Sequence, residues 1–160
     1  AQALLGSPQL LIVDEPTAGL DPAERRRFQN LLAEVGQDIV VILSTHIVDD
    51  VADLCSSVAI MGQGRILAEG RPAELTAALE GRLWQRVATR DEVQRLRSTH
   101  AVVSTRLTGG SMSVRILDHT APPGMTPAAP GLEDVYFATL HRHRAAPPAD
   151  GQTSAQQKAA

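Results

Sequence analysis

The stretch LLIVDEPTAGLDP, running from Leu10 to Pro22, places two carboxylates directly after four apolar residues. An uninterrupted apolar run such as Leu10 to Val13 is expected of a parallel strand covered on both faces. Pro16 biases Glu15 towards extended backbone and keeps a helix from starting at the acids. Asp21 can cap a helix N-terminus, Pro22 suits its first turn, and Glu24 completes a capping-box-like pattern. Phe28, Leu31, Leu32 and Val35 then share one helical face, and Gly36 ends the helix.

A second apolar run, Ile39 to Thr45, follows after a short loop and is rich in β-branched residues, as a sheet interior requires. Strand, helix and strand make a βαβ unit with parallel strands and a right-handed crossover. Both strands therefore end on one edge, and ligands of open α/β sheets bind outside the carboxyl ends of strands. Asp14 and Glu15 close the first strand and His46 closes the second, so three side chains can converge on one small site. Two carboxylates and a histidine there suit phosphoryl chemistry. One acid holds Mg²⁺, usually through water, the other orients or deprotonates a water, and the histidine contacts the terminal phosphate.

Bulk properties narrow the classes. A chain of 160 residues holds one domain, or one plus a small appendage. A net charge of -3 argues against a nucleic-acid binder that relies on a basic face. Cys55, the only cysteine, reads as a small core residue and excludes an internal disulfide. No run approaches the ~20 apolar residues of a membrane helix, and the opening AQALLGSP does not read as a signal peptide.

Further along, VDDVADLC is an acid-rich helical stretch whose Val48, Val51, Ala52 and Cys55 can face the sheet. SVAIMGQGRILAEG, Ser57 to Gly70, reads as a hairpin around Gly62-Gln63-Gly64, and RPAELTAALEG as a helix with Pro72 near its start. From Arg82 the pattern changes. LWQRVAT is a candidate strand, and Thr89 and Glu92 stand at capping-box spacing before a short helix. AVVSTRL and SMSVRIL flank Gly109-Gly110 as strands, with Met112, Val114 and Ile116 alternating against Ser113 and Arg115. Residues 121–131 form a proline-rich, extended loop. LEDVYFATL puts Leu132, Val135, Tyr136 and Leu140 on one helical face. Residues 145–160 lack the apolar content to fold and read as a disordered tail.

The order of motifs, LLIVDEP, then AGLDP, then STH about thirty residues after the acids, resembles the C-terminal half of an ABC-type ATPase. Asp14 matches the Walker B aspartate, Glu15 the adjacent catalytic glutamate, Ala18-Gly19-Leu20-Asp21 the D-loop, and His46 the switch histidine. The segment VAIMGQGRILAEGRPAEL is similar to the hairpin and helix that close transporter nucleotide-binding domains. LEDVYFATL resembles the helix that ends ATPases of ABC-2-type and drug exporters. The resemblance implies a partial P-loop NTPase (RecA-like) α/β fold, a parallel sheet with helices over residues 1–81, followed by a small α+β appendage over 82–144. It implies ATP and Mg²⁺ as cofactors, with Glu15 as general base, Asp14 on the metal, His46 at the γ-phosphate, and Asp21 helping to join two sites. The implied partners are a second nucleotide-binding domain and a transmembrane permease, with no nucleic acid, at the cytoplasmic face of a membrane.

The sequence also departs from that pattern. The only lysine is Lys158, so no G-x-x-x-x-G-K-[ST] loop exists here. No LSGGQ-like signature or Q-loop is present either. The chain therefore reads as the second half of a longer protein, inactive by itself. A non-catalytic fragment is the alternative for this chain. SMC-like DNA-repair ATPases and ribosome-associated ABC proteins are alternatives for the parent, although neither heptads nor a charged linker is visible. The helix face carrying Arg25, Arg26 and Arg27 reads as solvated, and His141, Arg142, His143 and Arg144 as cations suited to a helix C-terminus.

Overall fold

The computed structural model describes residues 2–4 and 6–145, so the tail expected beyond Ala145 lies outside the described residues. Strands β1 (Leu10–Asp14) and β2 (Val40–Ser44) pair in parallel, from Leu10 opposite Val40 to Asp14 opposite Ser44. Helix α1 (Pro22–Val35) connects them, giving the expected βαβ unit. Asp21 caps α1 by accepting from the N–H groups of Ala23 and Glu24 at 2.8 and 2.9 Å, which satisfies two of the donors a helix start leaves open. On α1 the inward residues are Arg25, Phe28, Gln29, Leu32 and Val35, while Leu31 is exposed, so the apolar face is narrower than expected.

The expectation that both faces of this sheet are covered does not hold. Leu11 is buried, but Leu10, Ile12, Val40 and Ile42, one face of the strand pair, are exposed. Strand side chains alternate between faces, and among the described residues no element packs over the second one.

Helix α2 (Val48–Leu54) follows β2. Its apolar residues were expected to point inward, yet Ala52 is exposed and the fully buried residue is Asp50. The hairpin of β3 (Val58–Gly62) and β4 (Arg65–Gly70) is antiparallel. Its turn at Gln63 and Gly64 has φ of +52° and +72°, the left-handed pair that matches strand twist in a two-residue loop. Helix α3 is Pro72–Ala77.

The second half is a four-stranded antiparallel sheet in the order β6-β7-β5-β8, built from β5 (Leu83–Ala88), β6 (Ala101–Thr108), β7 (Ser111–Leu117) and β8 (Thr126–Pro127). The extended loop thus contributes a short edge strand. Helix α4 (Arg90–Thr99) starts with a complete capping box between Thr89 and Glu92, and its Val93 and Leu96 pack with Ala88, Val114 and Ile116. Helix α5 (Leu132–Ala145) carries Val135 and Ala138 into a cluster with Ile60, Leu79, Leu83, Val103 and Ala128. One core therefore joins residues on both sides of Gly81. Asp134, buried on α5, binds Arg115 of β7 at 2.5 Å and takes the Gly131 N–H at 2.9 Å, while Glu133 pairs with Arg106. No described helix is long and apolar enough to cross a membrane.

Candidate functional site

Parallel pairing brings the carboxyl ends of β1 and β2 side by side, and with them Asp14, Glu15 and His46. The Glu15 carboxylate accepts from the His46 backbone N–H at 2.9 Å and lies 2.7 Å from its ring Nδ1, both on Oε1; Thr45 Oγ1 donates to Oε2 at 3.2 Å. These bonds hold the Glu15 carboxyl below its ordinary range, chiefly through the His46 side chain, against a smaller opposing effect of desolvation. A carboxylate so held is ionised and able to accept a proton or orient water.

Glu15 is not extended, as the following proline led us to expect. Its φ is +45°, a left-handed conformation that costs a non-glycine residue roughly 1–3 kcal/mol. The surrounding bonds account for it: the Glu15 N–H donates to the Ser44 carbonyl at 2.8 Å, and the Glu15 carbonyl receives the Ala18 N–H at 3.1 Å. The chain turns sharply while the side chain stays over β2.

Asp14 stands in register with Ser44, whose hydroxyl donates to Oδ1 at 2.5 Å. The carboxylate is exposed to solvent beside a hydroxyl oxygen. That donor set fits Mg²⁺, which keeps most of its waters and needs one or two carboxylates in addition to phosphate oxygens. It does not fit a closed all-protein metal centre, and no cluster of three or more His, Cys, Asp or Glu side chains suited to a metal occurs among the described residues. Asp21 is not brought to this cluster; its carboxylate faces the start of α1 as a cap.

The residue that sequence reasoning missed is Asp50. It accepts from Thr17 Oγ1 at 2.5 Å, Arg25 Nε at 2.8 Å and Gln29 Nε2 at 2.7 Å, and pairs with Arg25 Nη2 at 2.6 Å. Arg25 thus leaves the solvated face assigned to it. Burial pushes the Asp50 carboxyl up, but the donors outweigh burial and the net shift is downward. The one available signal was the placement of Arg25 and Gln29 at i and i+4 on α1.

A concavity of about 880 Å³ lies elsewhere. It is lined by Pro8, Gln9, Gly36 and Ile39 among others, at the amino ends of the strands, the edge opposite the acids. It takes no part in the candidate site.

Parallel strands deliver two acids and a histidine to one carboxyl edge, the edge at which open α/β sheets bind their ligands. The chain's homologues are ATP-binding proteins of ABC transporters. It is 36% identical over 81 residues to the energy-coupling factor transporter ATP-binding protein EcfA2 of Streptococcus sanguinis, covering 50% of this chain and 29% of that protein. It is 30% identical over 125 residues to the phosphonates import ATP-binding protein PhnC of Agrobacterium fabrum, covering 77% and 43%. It is 40% identical over 82 residues to the Nod factor export ATP-binding protein I of Rhizobium etli, covering 51% and 26%. The chain spans less than half the length of each. Among solved structures it is similar to cbiO1 from Clostridium perfringens, part of the ABC transporter complex cbiONQ, at 32% identity, a TM-score of 0.41, and coverage of 57% and 33%. No family model matches the chain.

Proposed function

We propose that residues 1–81 are the C-terminal half of the nucleotide-binding domain of an ABC transporter ATPase, and that residues 82–144 are an appendage packed onto it. The observation that carries this reading is the Glu15–His46 contact at the carboxyl edge of β1 and β2, supported by homology to ATP-binding transporter proteins. Glu15 acts as general base towards a water, a role worth ~10² to 10⁴ in rate. The His46 ring and backbone N–H fix the direction of the Glu15 carboxylate, and the imidazole contacts the γ-phosphate. Asp14, held by Ser44, binds water ligands of Mg²⁺. Bound MgATP supplies the phosphoryl group and the neutralising charge. Asp21, beyond its capping role, stands at the junction with a second nucleotide-binding domain.

A phosphate cradle of the G-x-x-x-x-G-K-[ST] type is not among these residues, whose one lysine is Lys158. The partners are that second domain and a transmembrane permease, which places the protein at the cytoplasmic face of a membrane. Export is the direction favoured by the likeness of LEDVYFATL to the last helix of exporter ATPases.

ATP turnover tests this reading, measured on the 160-residue chain and on a polypeptide joining it to a segment with a G-x-x-x-x-G-K-[ST] loop from the same gene. The chain alone is expected to be inactive. The joined protein is expected to turn over ATP and to lose that activity, with trapping of an ATP-bound dimer, on Glu15→Gln. Turnover that survives Glu15→Gln, or turnover by the chain alone, would overturn it.

A further inference from the structure

Asp50 is wholly buried and charged, and the chemistry above makes no use of it. Its position in the chain gives it a purpose. Two segments leave the candidate site: Pro16 and Thr17 after Glu15, and Ile47 with the first turn of α2 after His46. The Thr17 hydroxyl donates to Asp50 Oδ2 at 2.5 Å, while Oδ1 is held by Arg25 and Gln29 of α1. The two segments are therefore tied together twice, once at Glu15 and His46 and again two residues beyond the first and four beyond the second. The second tie is buried, since Thr17 has only 3% of its surface exposed, whereas the Glu15–His46 contact lies at the surface with 75% of the His46 side chain exposed. An exposed pair of long side chains does not hold its own geometry against water and rotamer entropy. A buried anchor with every carboxylate oxygen bonded does. Glu15 also sits at a positive φ, a conformation that persists only where its flanks are fixed.

We infer that Asp50 is a positioning residue for the Glu15–His46 pair: by fastening Thr17 to the first turn of α2 and both to α1, it keeps the Glu15 carboxylate on the His46 N–H and ring. It touches neither phosphate nor water in this role. The inference rests on the function proposed above only in calling that pair catalytic; the positioning itself is a property of the chain.

The test is nuclear magnetic resonance of the ¹⁵N-labelled full chain, reading the backbone and ring signals of His46. Glu15→Gln defines the displacement that accompanies a weakened contact. Thr17→Val, which removes only the hydroxyl, is expected to move the His46 signals along the same direction while the amides of Val114 and Ile116 stay in place. Thr17→Ser is expected to restore them. Asp50→Glu, which keeps the charge and lengthens the side chain, serves as an independent second variant and is expected to displace His46 in the same sense. His46 signals at wild-type positions in a folded Thr17→Val or Asp50→Glu chain would overturn the inference. The two ideas fail separately. Turnover that is insensitive to Glu15→Gln removes the catalytic reading and leaves the positioning intact, whereas unmoved His46 signals with Glu15-dependent turnover do the reverse.

Discussion

His46 grips Glu15 with two donors at once, its backbone N–H at 2.9 Å and its ring nitrogen at 2.7 Å, both on the same carboxylate oxygen. Because β1 and β2 are parallel and in register, a residue that ends one strand meets a residue that ends the other.

The contact has a pH signature. Glu15 ionises below its ordinary value of 4.5, with the His46 side chain as the main cause. A carboxyl whose folded pKa is depressed stabilises the fold above its unfolded pKa and loses that contribution as the pH falls through the lower folded value. The expected window is therefore below pH 4.5. His46→Ala is expected to return the Glu15 carboxyl towards 4.5, measured by ¹³C titration of its side chain.

The Asp50 network gives an asymmetric pair of variants. Arg25→Ala strands a fully buried carboxylate and is expected to cost about 3–5 kcal/mol, the range for breaking a buried ion pair. Asp50→Asn leaves behind an arginine whose side chain is 32% exposed, so water can reach the orphaned charge and the loss is expected to be smaller. Urea denaturation of both variants checks the order. An Asp50→Asn loss exceeding that of Arg25→Ala would contradict the burial assigned to the two partners.

Asp21→Ala is expected to cost about 1 kcal/mol through the loss of two capping bonds on α1, and Asp21→Asn very little. Thermal melts read the difference.

Ile12 and Ile42 face each other across the register of β1 and β2, 66% and 51% exposed. An apolar face of this kind promotes association. The double variant Ile12→Thr with Ile42→Thr keeps β-branched side chains and removes apolar surface. It is expected to raise the monomer fraction at fixed concentration, as measured by light scattering.

Much of the architecture was legible in the residues. Asp21 before Pro22 and Thr89 before Glu92 marked helix starts that formed as expected, because caps act over three or four residues. The turns at Gln63-Gly64 and Gly109-Gly110 were equally local, with positive φ at all four positions. The meeting of Glu15 with His46 was readable as well, since parallel strands put their ends on one edge. Three features were not. Asp50 stood in an acid-rich stretch whose sheet-facing side was assigned to Val48, Val51, Ala52 and Cys55, and its donors come from a loop and another helix. Arg115 occupied the polar side of an alternating strand, yet α5 covers that side and pairs it with Asp134. The backbone of Glu15 follows from hydrogen bonds to Ser44 and Ala18, which outweigh the local preference exerted by Pro16.

The largest apolar core, around Ile60, Leu83 and Val135, belongs to the hairpin and the C-terminal half, whereas the acid-bearing unit owns little beyond Leu11 and Leu32. The candidate site thus lies in the half with the smaller apolar core. Opening free energies differ between such regions, so β1 and β2 are expected to exchange their amide protons ahead of β5 and β7 in a hydrogen-exchange measurement. The edge with Glu15 and His46 thus rests on the Asp50 anchor and a small core of its own, apart from the larger apolar cluster.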